Sequence, residues 1–219
     1  MSNIVHEVWK ILDDNPSIRR EMNRGLVNTS ALARYIIKEK KVNGSLDAVI
    51  GAIRRYELDR HEDIFNTANK LLAQTINIST KSNLAEISLI KDSEVQQILP
   101  KLFSIIHYIR GDVLRLTQAN ESIRLLIDEK NMEKVIALFP KGKIISKEKN
   151  LAEINIYIHP KMQTTPGILA VIANELATNR INIVEVMTCP PEMIWVVKKE
   201  ELVKASDALF QLCQPKKMN

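Results

Sequence analysis

The chain has 219 residues, 45% of them hydrophobic and 26% charged, which is ordinary for a globular protein with more than one core. Its net charge of +5 is compatible with nucleic-acid binding, although a mildly basic charge more often reflects a lysine-rich surface. Two cysteines, Cys189 and Cys213, exclude a disulfide framework, and no apolar run approaches the roughly 18 residues of a membrane span. The acidic, amphipathic start MSNIVHEVWKILDD is not typical of a signal peptide, so we expect a cytoplasmic protein in a reducing compartment.

Residues 1–74 carry helical periods and no strand signal. Four apolar residues at helical spacing predict the first helix: Ile4, Val8, Ile11 and Leu12. Pro16 suits the first turn of a second helix. Further along, DIFNTANKLLAQ (residues 63–74) predicts a helix that leads into the rest of the chain. We therefore expect an all-α domain over residues 1–74.

The segment NTSALARYIIKEKKVNGSLDAVIGAIRRYELDR, residues 28–60, resembles a helix-turn-helix. Its first helix is ALARYI and its second is SLDAVIGAIRRY. Asn43 and Gly44 break the chain between the two helices, and Ser45 can cap the second. In such a motif the second helix lies in the DNA major groove, and the residues near its start reach the bases.

Residues at the start of that second helix do not suit base recognition, because none carries the Arg, Lys, Asn or Gln fork: Leu46, Asp47, Ile50 and Gly51. Five residues are candidates for phosphate contacts: Lys40, Lys41, Ser45, Arg54 and Arg55. Residues 1–70 hold 12 Lys/Arg and 10 Asp/Glu, a net charge of only +2. Two hypotheses stay open. The helices bind DNA, or their apolar Leu46/Ile50 edge packs against another subunit or the rest of the chain.

A tandem duplication occupies the remainder of the chain. ISTKSNLAEI (residues 78–87) and ISKEKNLAEI (residues 145–154) are identical at seven of ten positions, 67 residues apart. The similarity continues at an offset of 71, where six residues of the first copy match six of the second: Thr117, Glu121, Ile123, Ala137, Leu138 and Phe139 match Thr188, Glu192, Ile194, Ala208, Leu209 and Phe210. An internal repeat of this length indicates two copies of one structural unit.

Each copy predicts the same elements in the same order. In copy two, apolar residues from Ala152 to Ile158 alternate with polar ones, which predicts a strand with one buried face. A helix, the strands INIVEVMT and MIWVVK, and a last helix follow, and a short strand candidate precedes each copy, TINIST or KIISK. The prediction is a four-stranded antiparallel sheet with two helices on one face in each repeat, over residues 75–141 and 142–219. The fold class is α+β.

The stretch TTPGILAVIANELATNRINIVEVMT (residues 164–188) resembles the centre of an ACT domain. ACT domains are small ferredoxin-like modules that sense ligands and regulate aspartate kinase and other amino-acid enzymes. The matching pieces are Pro166-Gly167 and Ile181-Asn182-Ile183, and the resemblance covers residues 75–212 in both copies. A strand ahead of each unit is also similar to the paired ACT domains of aspartate kinase. The resemblance implies that an amino acid binds between the Gly167 loop and the Asn182 strand, at an interface between two such domains.

The chemistry of the Gly167 loop suits a carboxylate. Gly167 allows close approach of the backbone, Pro166 fits the first helical turn, and the N–H groups of that turn favour an anion. Nine residues are the candidate ligand contacts: His159, Gln163, Thr164, Thr165, Pro166, Gly167, Ile168, Asn182 and Ile183. The alternative is that Pro166-Gly167 only starts a helix, that Asn182 only caps a turn, and that His159 is an exposed strand-end residue.

Copy one departs from this pattern in IKDSEVQQILPKLFSII, residues 90–106. If Pro100 matches Pro166, Lys101 replaces the glycine. If the helix instead starts near Ser93, Pro100 kinks it. Either arrangement predicts that copy one has no ligand site of its own and serves as a partner for copy two.

Sequence patterns give no support for catalysis. The four histidines, His6, His61, His107 and His159, show no metal-ligand spacing, and six glycines include no phosphate-binding loop. Glu86 and Glu153 recur at equivalent positions, but each is predicted on the polar face of a strand. We expect no enzyme activity, metal or cofactor.

The leading hypothesis is a homodimeric regulator that senses an amino acid. The alternatives are an allosteric subunit that binds a protein partner, and a structural pair that has lost its ligand.

Overall fold

The computed structural model describes residues 4–56, 64–75 and 77–214, so His61 and Ile76 lie outside the described residues. The chain divides into two compact units, residues 1–64 and residues 65–219. The first unit is helical and the second is an antiparallel sheet with helices, which confirms the predicted α+β class. None of the helices within the described ranges is long and apolar enough to cross a membrane.

Four helices form the described part of the first unit: α1 (Ile4–Asp13), α2 (Pro16–Asn23), α3 (Thr29–Glu39) and α4 (Leu46–Arg54). Side chains cap two of them. Asn28 Oδ1 accepts the N–H of Ala31 at 3.0 Å, and Ser45 Oγ accepts the N–H of Ala48 at 3.2 Å. Each cap satisfies an amide that the helix itself leaves unpaired. The helices and the Ser45 cap lie where the sequence predicts them, whereas a DNA-reading role for α3 and α4 stays a prediction.

Apolar side chains from α1, α3 and α4 form the core of the first unit, including Val8, Leu12, Ile36, Val49 and Ala52. The indole N–H of Trp9 ties α1 to α4 by donating to the Ala52 carbonyl at 3.0 Å. Leu46 and Ile50 are partly buried and pack against this same core. The apolar edge that the sequence left available for a partner is therefore largely used inside the unit.

The second unit contains one six-stranded sheet, whereas the sequence predicted two separate sheets. Its strands are β1 (Asn77–Ile90), β2 (Leu114–Gln118), β3 (Ser122–Asp128), β4 (Ile144–Tyr157), β5 (Glu185–Cys189) and β6 (Glu192–Lys198), in the order β2-β3-β1-β4-β6-β5. Its helices are α5 (Ile64–Leu72), α6 (Ser93–Ile98), α7 (Met132–Ile136), α8 (Ile168–Thr178) and α9 (Leu202–Leu212).

The two repeats share a sheet because the strand ahead of each copy runs directly into that copy's next strand. This makes β1 and β4 14-residue strands. Residues 77–82 of β1 pair with the last residues of β4, and the first residues of β4 pair with the second part of β1. Each copy thus contributes a strand segment to the other copy's half of the sheet. The predicted boundary at residues 141 and 142 stays a proposal.

Asn83 and Asn150 mark the point where each long strand passes from one half of the sheet to the other. They are equivalent residues of the duplication, and their φ angles are +59° and +58°. At Asn83 the register between β1 and β4 shifts, as in a bulge. Asparagine tolerates this left-handed conformation better than most residues other than glycine. The repeated NLAEI sequence therefore encodes the junction between the halves.

Helices cover one face of the sheet. In the half formed mainly by copy one, Ile87, Leu125 and Val135 belong to one core, and in the other half Ile154, Trp195 and Leu209 belong to a second. Helix α5 packs in this second core through Ala68 and Leu72, both fully buried. The helix that was predicted as part of the N-terminal domain is thus packed against the sheet.

The face without helices is concave and carries Glu86 and Glu153, but it is buried and largely apolar, whereas the sequence predicted a polar face. Their exposed fractions are only 6% and 4%. Arg115 Nη2 in β2 donates to Glu153 Oε1 in β4 at 3.0 Å, across three strand spacings or roughly 14 Å on a flat sheet. Side chains standing perpendicular to a flat sheet would not meet over that distance, so the sheet must curl.

The paired strands of the two copies correspond at an offset of 70 from β2 onward, not at the predicted 71. Ile123 contacts the helix-side core, whereas its counterpart at offset 71, Ile194, lies on the concave face. Met193, at offset 70, lies on the same side as Ile123. A one-residue slip moves a side chain to the other face of a strand, so only one register fits.

Candidate functional site

The candidate ligand loop joins the end of β4 to the start of α8. It contains a short 3-10 helix, Pro160–Thr164, and then Thr165 and Pro166. Gly167 is the N-cap of α8 and has a φ of +91°, a conformation that favours glycine. Pro166 therefore lies just before the N-cap, whereas the sequence had placed it in the first helical turn.

The first turn of α8 has no side-chain cap among the described residues, because Gly167 has no side chain and no acidic residue follows it. The Gly167 carbonyl accepts the N–H of Val171 at 2.9 Å, so the regular helix starts here. The amides that precede Val171 are left without an intrahelical partner. Together with the helix dipole, they make this end of α8 favourable for an anion.

Copy one fills the corresponding helix end with its own carboxylate. Helix α6 starts at Ser93, and its N-cap Asp92 accepts the Val95 N–H at 2.9 Å. Lys143 Nζ lies 2.6 Å from the other Asp92 oxygen and lowers the pKa of that carboxyl. Of the two predicted alternatives, the helix start near Ser93 is the one found. Pro100 then falls in a 3-10 helix, Leu99–Ser104, that continues from α6.

Side chains of the loop hold its own backbone around Lys161. Thr165 Oγ1 donates to the Lys161 carbonyl at 2.7 Å, Thr164 Oγ1 does so at 3.4 Å, and His159 Nδ1 accepts the Lys161 N–H at 3.2 Å. Gln163 is exposed. No sequence motif marks Lys161, because it takes part in these hydrogen bonds through its backbone.

Asn182 and Ile183 lie at the opposite end of the sheet from the loop within the same chain. The loop follows Tyr157, which pairs with Glu192. The Asn182 N–H lies 3.4 Å from Glu201 Oε1, beyond the other end of β6, where Lys198 pairs with Leu151. Six residues of strand separate these ends, about 20 Å. The structure groups His159 and residues 163–168 together, with Ile168 buried as a core residue, but does not bring Asn182 and Ile183 to them.

Helix α8 connects the two separated parts of the candidate site. Its 11 residues span about 16 Å, from the Gly167 loop to the turn before Asn182. Its exposed side chains are mixed: Leu169, Ala170 and Ala177 are apolar, and Asn174 and Thr178 are polar. Leu169 and the two exposed alanines are the part of this outer side that suits contact with an apolar partner.

In the first unit, the candidate phosphate contacts lie at two ends of α4. Lys40 and Lys41 follow α3 and are exposed, and Lys41 has a φ of +56°. Ser45, at the start of α4, uses its hydroxyl as a cap acceptor. Arg54 and Arg55 are exposed at the far end of the helix, roughly 13 Å away.

A metal centre has no support in the parts of the chain that the structure describes. Those parts contain no group of three or more His, Cys, Asp or Glu side chains that could hold an ion.

Comparison with known proteins finds similarity among solved structures. No family model matches the chain, and no curated protein matches it. The aspartate kinase of Clostridium acetobutylicum, described as an allosteric enzyme, is 18% identical with a TM-score of 0.52, over 64% of this chain and 34% of that enzyme. The chain thus spans about a third of that kinase.

Regulatory subunits of aspartate kinase are also similar. The subunit from Thermus thermophilus is 17% identical with a TM-score of 0.50, and the one from Thermus flavus is 14% identical with a TM-score of 0.52. Each match covers 63% of this chain and 97% of the subunit. Similarity at this level supports an ACT-type fold for the sheet.

Proposed function

We propose that this protein is a non-catalytic regulator that senses an amino acid or a related small carboxylate through its ACT-type sheet unit, with the helical unit as the output. The observation that carries the proposal is the contrast between the two copies. Asp92 occupies the helix end of copy one, whereas no described side chain caps the equivalent end of copy two. The similar solved structures are described as regulatory parts of aspartate kinase, which supports a regulatory role.

The ligand carboxylate would bind at the start of α8. Its oxygens would accept from the unpaired amides of the first turn, in the position that Asp92 Oδ1 holds in copy one. Gly167 would allow that approach because it has no side chain to block the amides. His159, Gln163, Thr164 and Thr165 would surround the ligand from the loop.

Asn182 and Ile183 would come from a second copy of the chain. A two-fold axis perpendicular to α8 packs the helix antiparallel against its own counterpart. The Gly167 loop of one chain then lies beside the Asn182 turn of the other. Exposed Leu169, Ala170 and Ala177 supply an apolar contact on the outer side of α8, and the small alanine side chains allow close approach. This arrangement makes the protein a homodimer with two ligand sites.

Ligand retention tests the sensor proposal directly. Equilibrium dialysis of the full chain against an isotope-labelled mixture of the twenty amino acids should retain one of them, at about one molecule per chain. Retention of none would contradict the proposal. Binding shifts the output only if the ligand has different affinities for two arrangements of the dimer, so the retained amino acid should also change the output measurement.

The output is DNA or a protein partner. Exposed Lys40, Lys41, Arg54 and Arg55 favour phosphate contacts, while the small net charge favours a protein partner. A gel shift with mixed DNA fragments at about 50 mM salt decides between them, because phosphate contacts are strongest at low salt. A shift that weakens as salt rises supports DNA binding. If no shift occurs, the DNA output fails, and an allosteric subunit that binds a protein partner is the alternative.

A further inference from the structure

Copy one carries three exposed apolar side chains in the segment that leads from α6 to β2. Phe103, Tyr108 and Ile109 form this apolar tip, and their exposed fractions are 64%, 52% and 104%. The rings of Phe103 and Tyr108 contact each other with centroids 6.4 Å apart, and Ile109 follows directly in the chain, so the three belong to one patch. Apolar side chains that are exposed as a group mark a contact surface, whereas single ones do not.

Hydrogen bonds hold the turn that presents the apolar tip. The Asp112 carboxylate accepts the His107 N–H at 3.1 Å. The His107 carbonyl accepts the Arg110 N–H at 2.9 Å, and the Tyr108 carbonyl accepts the Gly111 N–H at 2.9 Å. An ordered turn therefore holds the apolar side chains outward. Several backbone polar groups of that turn are already paired, which favours contact with an apolar phase, because an unpaired group there is costly.

Positive charge flanks the apolar tip. Residues 95–111 contain no Asp or Glu, and their Lys and Arg side chains, Lys101 and Arg110, are both exposed. Asp112, the next acidic residue along the chain, is buried and pairs with Lys130 at 2.5 Å. The segment therefore has an excess of positive charge, which favours an anionic partner.

The corresponding turn of copy two, before β5, keeps its isoleucine inside. Ile181 is 5% exposed and belongs to the core on the helix side of the sheet. The two residues before it, Asn179 and Arg180, are polar. The fold itself therefore does not require apolar side chains to project from this turn, and the apolar tip is specific to copy one.

The shape of the apolar tip favours a lipid surface over a protein. An exposed fraction of 104% means that Ile109 stands clear of the rest of the described chain, so this surface protrudes and is not a groove. A protein partner would have to supply a pocket for it, whereas a bilayer accepts a protruding apolar side chain without one. Aromatic side chains are enriched at the boundary between membrane and water, and anionic headgroups attract neighbouring Lys and Arg.

We propose that the apolar tip binds the surface of a membrane that contains anionic lipids, with its three side chains in the interfacial layer and Lys101 and Arg110 at the headgroups. The chain lies on the membrane and does not cross it. Three apolar side chains and two cations are a small set of contacts, so the binding is reversible. This proposal depends neither on the amino-acid site nor on the output of the helical unit.

Vesicle sedimentation of the full chain tests the proposal, with phosphatidylcholine vesicles that contain either no phosphatidylserine or about 30% of it. We expect binding to the phosphatidylserine vesicles at about 50 mM salt, weaker binding as salt rises, and little binding to phosphatidylcholine alone. Ile109→Asp should weaken binding about tenfold or more, and Arg110→Gln several-fold. Val203→Asp and Lys204→Gln, at exposed positions of α9, are the matched controls and should bind as the parent does.

Fluorescence distinguishes insertion of the apolar tip from adsorption by charge alone. In a Trp9→Phe background, emission of Ile109→Trp should shift to the blue with phosphatidylserine vesicles, whereas emission of Val203→Trp should not. Trp195 is buried and gives a constant background. An unshifted Ile109→Trp spectrum would overturn the proposal, as would binding that Ile109→Asp leaves unchanged. Absence of binding to the phosphatidylserine vesicles would also overturn it, and would favour a protein partner for the apolar tip.

Discussion

Gly167 is the residue on which the candidate site most directly depends. With a φ of +91°, it holds a conformation in which a side chain is strained, so Gly167→Ala should lower the free energy of unfolding by about 1–2 kcal/mol. The matched control is Gly142→Ala, because a Cβ there meets no atom within 4 Å and its φ lies outside the strained range. That control should change stability by less than about 0.5 kcal/mol. If urea denaturation gave the same loss of free energy of unfolding for both variants, backbone strain at Gly167 would not be what determines the loop conformation.

Asp112 holds the turn before β2 in place. It accepts the backbone N–H of His107 at 3.1 Å and the Asn131 side-chain N–H at 3.0 Å, and Lys130 Nζ lies 2.5 Å from its other oxygen. Lys130, the His107 amide and Asn131 hold the pKa of Asp112 well below its usual range.

A depressed carboxylate pKa adds stability above the unfolded-state pKa, about 3.9 for aspartate, and this stability is lost as pH falls toward the folded-state value. We therefore expect the parent to be destabilised more steeply than Asp112→Asn between pH 5 and pH 2. Urea midpoints measured across that range check this expectation. Parallel curves for the two proteins would mean that Asp112 is not stabilised by its neighbours.

At the scale of elements, the two positive-φ asparagines connect the duplication to the single sheet. Asn83→Val and Asn150→Val should each cost about 1–2 kcal/mol, because a β-branched residue strongly disfavours the left-handed region. Asn83→Gly and Asn150→Gly should be nearly neutral. Chemical denaturation of the four variants gives the comparison. If valine is tolerated at both positions, the bulges are not needed to join the halves.

Local signals in the sequence were sufficient to predict the helices of the first unit and the Ser45 cap. The strand candidates were also found, because alternation and turn residues are local features. That the strands join in one sheet could not be predicted, since pairing between TINIST and the end of β4 depends on residues about 75 positions apart. The buried state of Glu86 and Glu153 was missed for a similar reason. Alternation predicts which face a side chain takes, but only the curl of the whole sheet buries that face.

The offset between the copies shows that a few identical residues can give the wrong alignment. Ile123 and Ile194 are the same residue type, yet Ile123 faces the helices and Ile194 lies on the face without helices. Burial of the side chains shows which alignment of the two copies is correct.

In copy one, the choice between Pro100 and Ser93 as the helix start depended on Asp92, whose carboxylate caps α6.

At the scale of the whole molecule, the separation of Asn182 from the Gly167 loop requires two chains for one site. We expect Gly167→Trp and Asn182→Ala each to abolish ligand binding when studied alone. Mixing the two variants under conditions that exchange subunits should restore binding at about a quarter of the sites, because half of the dimers become mixed and each mixed dimer has one intact site. Titration calorimetry of the mixture measures this.

Absence of any recovery, in a mixture shown by mass spectrometry to contain mixed dimers, would contradict a site shared between chains.

The loop itself could be predicted from the sequence, because Pro166, Gly167 and the polar residues before them are contiguous. The distance to Asn182 could not, because it depends on the direction in which α8 crosses the sheet.

The most direct test of the central claim is a thermal-shift screen of the twenty amino acids at millimolar concentration, followed by fluorescence. Trp9→Phe serves as the background, since it leaves Trp195, buried in the sheet unit, as the single tryptophan. A ligand at about a hundred times its dissociation constant should stabilise the unit by about 2.7 kcal/mol, a shift of several degrees. We predict one clear hit, lost in Gly167→Trp and kept in Gly142→Trp. A screen without a hit, or a hit that survives Gly167→Trp, would contradict the account.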